Sequence, residues 1–135
     1  MFWLSHPPPD ELDRCYRLFG LHLCARCLGT YPVLAAAFSA QFALHAPLAH
    51  PLDVPVGVAL AVPATLDWAW GRFRPHAFSN LWRTLTGALL GLGLARSLFI
   101  HVQRPLPAVL LWQGALVTAV AFPVILATYL RRSGR

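Results

Sequence analysis

The chain has 135 residues, 57% of them apolar and 12% charged, and a net charge of +6. A soluble globular domain carries about 25% charged residues, so this balance argues against a water-solvated fold and makes a lipid bilayer the expected partner. The length suits one domain, residues 1–135, read as an all-α integral membrane bundle.

Residues 1–27 form a polar Cys/His segment ahead of the first apolar stretch. Pro7, Pro8 and Pro9 followed by Asp10, Glu11 and Asp13 resemble a helix start, because proline is tolerated and acids are favoured in a first turn. Leu12, Cys15, Leu18 and Phe19 then share one face at helical spacing while Asp13, Arg14 and Arg17 point elsewhere. The spacing predicts a short amphipathic helix along the membrane surface, ended by Gly20. Residues 21–27 lead into the first span and place Cys24 and Cys27 at its mouth, one turn apart if the helix has begun. A small-residue cleavage site is lacking, so the segment does not read as a secretory signal peptide.

Four apolar stretches follow, at about 28–49, 55–71, 84–101 and 108–130, each near the roughly 20 residues that cross a bilayer as a helix. A chain in lipid must satisfy its own backbone hydrogen bonds, so these segments are expected to be helical despite their Val, Thr and Ile. The alternative is three spans and one re-entrant segment, because 55–71 is short and carries Pro63 and Asp67. The connections 45–54 and 102–107 hold prolines and read as tight loops. Gly87, Gly91 and Ala95 make a stripe of small residues on the third span, suited to close helix packing, within the chain in preference to a homo-oligomer. Trp68, Trp70, Trp82, Trp112 and Tyr129 fall near span ends, as an interfacial aromatic belt requires.

All basic residues are arginine, and their placement sets orientation. Arg14, Arg17, Arg26, Arg72, Arg74, Arg83, Arg131, Arg132 and Arg135 flank one side of the spans, while the opposite connections carry Arg104 alone. The positive-inside rule then puts both termini in the cytoplasm of an inner (plasma) membrane protein. Arg96, deep in the third span, is expected to snorkel outward. Arginines at helix ends do not make the solvated basic face that nucleic acid needs, so no nucleic-acid partner is expected.

Three groups of residues have chemistry to offer. Cys24 and Cys27 form a CxxC pair with Cys15 upstream and His6 and His22 nearby, a spacing that suits tetrahedral zinc or another thiophilic metal. The same pair serves thiol–disulfide exchange, and three cysteines can equally pack as small apolar residues. Leu28 stands where a c-type haem would need His. Asp67 is the one acid inside an apolar span, and the hairpin between spans two and three brings it near Arg83 as an ion pair; with Asn80 these are the catalytic candidates. Arg26, Arg72, Arg74 and Arg83 sit at headgroup depth, where guanidinium matches phosphate geometry, although plain topological anchoring accounts for them equally simply.

These residues carry a resemblance. Cys24-Ala25-Arg26-Cys27-Leu28-Gly29-Thr30-Tyr31, Pro63 with Asp67, and Ser79-Asn80-Leu81-Trp82-Arg83-Thr84-Leu85-Thr86-Gly87 are similar to the motifs of a family of small predicted prokaryotic membrane proteins of unknown function. Members usually also show an N-terminal Cys-His pair; here Ser5 precedes His6 and a thiol stands at Cys15 instead. The resemblance implies a membrane protein in which the cysteine motif, Asp67, Asn80 and Arg83 belong together, and it supplies no activity. The residues themselves leave three expectations: a cytoplasmic-side zinc site, a membrane thiol oxidoreductase using Cys24 and Cys27, or a lipid-binding or accessory subunit working with a membrane partner.

Overall fold

The computed structural model describes residues 14–18, 20–48, 50–74 and 77–133. The chain runs through a two-stranded hairpin, β1 (Cys15–Leu18) and β2 (Leu21–Cys24), into four helices: α1 (Ala25–Ala43), α2 (Asp53–Phe73), α3 (Asn80–Gln103) and α4 (Ala108–Ser133). The helices alternate up and down, so the start of α1, the end of α2, the start of α3 and the end of α4 meet at the end of the bundle that carries the hairpin. Arg131 of α4 lying 5.2 Å over the Phe73 ring of α2 marks that meeting.

Among the described residues three helices, α2, α3 and residues 108–131 of α4, are long and apolar enough to cross a membrane. The second predicted span is longer than its apolar core, because Asp53 and Arg72 join the helix at its two ends, one in the first turn and one in the last. Asp53 suits a helix start and Arg72 a helix end by their charge. Pro32, Pro63 and Pro123 all lie inside helices, as membrane helices tolerate. The first helix departs from the predicted 28–49: it starts three residues earlier and ends at Ala43.

The predicted amphipathic helix is corrected where it can be seen. Cys15–Leu18 is a strand, paired antiparallel with Leu21–Cys24 in the register Cys15 to Cys24, Tyr16 to Leu23, Arg17 to His22 and Leu18 to Leu21. Gly20 sits between them at φ +79°, a left-handed conformation that glycine enters without steric cost. On the strand Cys15 shares a face with Arg17, which a helix would have set apart from it, and the glycine turn decides for the strand. The earlier part of that prediction, residues 7–13 with Leu12, and Phe19 lie outside the described residues.

Helix α3 is the centre of the bundle, with α1 on one side and α2 on another, while α4 rests mainly on α2. Backbones approach closely where glycine permits it. A Cβ on Gly29 of α1 would strike the Thr84 carbonyl oxygen, and one on Gly87 or Gly91 of α3 would strike the carbonyl oxygens of Arg26 or Thr30. The stripe of small residues is therefore spent inside the chain, on α1. Thr30 Oγ1 lies 2.9 Å from the Arg26 carbonyl and 3.0 Å from that of Gly87, so its hydroxyl can donate across the contact.

Two further devices hold the distant half. Gln113 of α4 donates to the Gly57 carbonyl of α2 at 2.9 Å and accepts from Ser97 of α3 at 2.6 Å, fully inside the bundle. Arg96 bridges Asp53 with both carboxylate oxygens at 2.8 and 3.0 Å and donates to the Pro47 carbonyl. Arg96 is thus held by an acid at the start of α2 and does not simply snorkel outward. Phe38, Phe42 and Phe99 stack edge to face beside this pair. Replacing Gln113 by Leu is expected to lower stability in detergent by about 1 kcal/mol, since the buried seam loses both bonds of the amide and the Ser97 hydroxyl is left with the Gly93 carbonyl at 3.0 Å; a thermal-melt shift within error would show that the seam is not coupling three helices.

Candidate functional site

The hairpin end closes over a cavity of about 130 Å³ walled by Arg14, Cys15, Cys24, Arg26, Trp68, Gly71, Arg72 and Arg83. Each element contributes in a way its local sequence explains. The hairpin register brings Cys15 opposite Cys24, and side-chain alternation puts both on one face with Arg17 and His22. Cys24 is also the residue that precedes α1, so Arg26 falls in the first turn of that helix. Gly71 and Arg72 lie in the last turn of α2, and Asp67 and Trp68 one turn before it. Ser79 starts α3 by accepting from the Trp82 backbone N–H at 3.2 Å, an N-cap, which sets Arg83 in the first turn.

Arg26 forms an ion pair with Asp67. This corrects the expected Asp67–Arg83 pair. The short link between α2 and α3 makes those two neighbours in sequence, but the close α1–α3 packing carries the start of α1 to the inner side of α2, where Arg26 reaches the carboxylate. Asp67 has 1% of its side chain exposed and Arg26 24%, so the acid is sealed in and the base reaches the cavity. Asp67 Oδ1 and Arg26 Nε have no hydrogen-bond partner among the described residues, an arrangement that leaves a buried pair incompletely satisfied. Arg83 is 5% exposed and lines the cavity. Arg14 donates to the Gly71 carbonyl at 3.3 Å, and Arg72 lies over the Trp68 ring at 5.3 Å, within cation–π range.

The remaining expected residues divide. Cys15 and Cys24 reach the cavity wall together, whereas Cys27 sits in the first turn of α1, half-buried and outside that wall. His22 pairs with Arg17 two positions from Cys24 and also stays outside it. His6 lies outside the described residues. Among the described residues no three His, Cys, Asp or Glu side chains form a group that could hold a metal ion. Asn80 is the first residue of α3 and half-buried; its carbonyl accepts from Thr84 at 2.9 Å. Arg74 turns away over Trp70, 5.8 Å from the ring centre, so of the four arginines expected at a headgroup, Arg26, Arg72 and Arg83 meet and Arg74 does not.

The two longest motifs also explain each other. Thr84 donates toward the Ala25 carbonyl at 3.1 Å and lies 3.4 Å from the Tyr16 hydroxyl, while Gly29 and Thr30 pack on Thr84 and Gly87. Half of each motif is a helix crossing, and the other half, Cys24 with Arg26 and Arg83, faces the cavity.

Residues 12–97 match the model of a family described as predicted membrane protein (DUF2085). The chain belongs to this family. No curated protein and no solved structure matches it. All the cavity residues fall inside the stretch matched to the DUF2085 model, which ends within α3.

Arg14, Trp68 and Gly71 were not among the site residues expected from sequence. Trp68 reads as a belt tryptophan from its position at a span end, and only its contact with Arg72 gives it a place in the cavity. The polar seam of Gly57, Ser97 and Gln113 carries no sequence signal beyond the presence of a polar amide in an apolar run.

Proposed function

We propose that this membrane protein binds an anionic, phosphate-bearing headgroup at its hairpin end. The observation that carries this reading is the convergence of four guanidinium groups, from Arg14, Arg26, Arg72 and Arg83, with the Trp68 ring around one cavity. Guanidinium offers a planar fork that matches phosphate oxygens, and it keeps its charge in partly desolvated surroundings. Arg26 is held in place by Asp67, which serves to position the cationic group. A cavity of about 130 Å³ suits a phosphate and its ester oxygens more than a whole lipid, so the acyl chains remain in the bilayer beside α2. In this reading α1 is the fourth crossing: its 19 residues span about 28 Å. The arginine-rich end with both termini then faces the cytoplasm of the plasma membrane. Zinc binding by Cys15, Cys24 and Cys27 with His6 or His22 draws its support from cysteine spacing alone.

The test is protein reconstituted in nanodiscs of phosphatidylcholine with and without phosphatidylglycerol, with bound lipid read by native mass spectrometry. Enrichment of phosphatidylglycerol is expected, and Arg72→Ala is expected to weaken it about tenfold, the equivalent of one charge-assisted contact of about 1.5 kcal/mol. Competition by inorganic phosphate would assign the affinity to the phosphate itself. Equal retention of both lipids, or no change in Arg72→Ala, would overturn the reading.

A further inference from the structure

We propose that Cys15 and Cys24 form a reversible cross-strand disulfide on the wall of the cavity, and that the CxxC pair of Cys24 with Cys27 is not the exchanging pair. The register makes Cys15 and Cys24 direct partners across an antiparallel ladder. Residues so opposed have Cα atoms about 4.5–5.5 Å apart, within the roughly 4.4–6.8 Å that a disulfide accepts. Partners in a ladder also project to the same side of the sheet, and the cavity lining agrees, since it includes both residues. Cys27, in the first turn of α1, also lies within hydrogen-bond reach of Cys24, but it does not reach the cavity, and no strand ladder holds it in register with Cys24. All three cysteines are unbridged in the structure.

The bond therefore forms between residues that the backbone already holds in register, and closing it requires no change in the strand pairing. It is a modification of the reduced protein, as suits a thiol pair on the reducing side of a membrane, where stable disulfides do not persist. The oxidant is a low-molecular-weight disulfide. One of the two thiolates attacks a sulfur of that disulfide and releases a small thiol, leaving a mixed disulfide; the second protein thiolate attacks the protein sulfur of that bond and releases the second small thiol. Two protein thiols and one small disulfide are consumed, and one protein disulfide and two small thiols are produced. None of this depends on the headgroup reading, because the bond is detected directly.

The sequence allows a clean assignment. Trypsin cuts after Arg14, Arg17 and Arg26, which puts Cys15, Cys24 and Cys27 on three separate peptides: 15–17, 18–26 and one beginning at Cys27. Full-length protein in detergent is equilibrated with mixtures of reduced and oxidised glutathione, the remaining thiols are alkylated, and the digest is read by mass spectrometry without reduction. The expected result is peptide 15–17 linked to 18–26 in most of the oxidised protein, reversed by added thiol, and unchanged in Cys27→Ala. In Cys15→Ser, a glutathionyl group on Cys24 is expected in place of the link. Linkage of 18–26 to the peptide beginning at Cys27, or no link in both the parent and Cys27→Ala, would overturn the proposal.

Discussion

Replacing Arg26 by Leu is expected to destabilise the protein by about 3–5 kcal/mol, because it strands a carboxylate inside the bundle without a counter-charge. Asp67 has 1% of its side chain exposed, against 24% for Arg26, and this asymmetry makes the two single changes unequal. Asp67→Leu leaves a guanidinium that can turn toward the cavity and recover water, so its cost should be clearly smaller. The double change removes both charges and leaves two apolar side chains at a helix junction, and it should return most of the loss. Thermal unfolding in one detergent, run on all four proteins as a cycle, gives the coupling between the residues. Additive effects of the two substitutions would show that the pair does not act as a unit.

The second large effect is steric. Gly29→Ala is expected to cost about 1–3 kcal/mol, the usual range for overpacking, because its new methyl group would meet the Thr84 backbone carbonyl and no rotamer can move a carbonyl aside. The two helices must separate, and Thr84 would lose its approach to the Ala25 carbonyl, which stands at 3.1 Å. Gly114→Ala is the matched control. A Cβ there meets nothing within 4 Å, so the change should be neutral or stabilise by up to about 1 kcal/mol through helix propensity. Equal melting temperatures for the two variants would remove the α1–α3 contact from its place at the centre of the fold.

The helices were legible because a bilayer leaves the backbone little choice: a long apolar run must satisfy its own hydrogen bonds, and the runs near 55–71, 84–101 and 108–130 all fall within α2, α3 and α4. The hairpin was not legible, since Cys15 to Leu18 is too short for a period of 3.6 to be told from a period of 2. The same difficulty shaped the site. Asp67 stood out as a buried acid, but its partner was sought at Arg83, nearby along the chain, and found at Arg26, 41 residues away. Which helix starts lie beside which helix ends depends on the glycine contacts of α1 with α3. The sequence shows that such glycines exist but not which helix they face. Cys24 and Cys27 drew attention as a pair because they are close in sequence, whereas the pairing of Cys24 with Cys15 depends on the strand register.

Helix α4 is tied down by little. Val109 and Gln113 are its buried residues among those described, and Leu111, Trp112, Val117, Phe122, Ile125, Leu126, Tyr129 and Leu130 are all exposed. It also lies beyond residue 97, where the family match ends. Most of its surface therefore asks only for oiliness and length. Exchanging one apolar residue for another on its exposed face is expected to cost little, while the hairpin and the first three helices are bound to particular side chains.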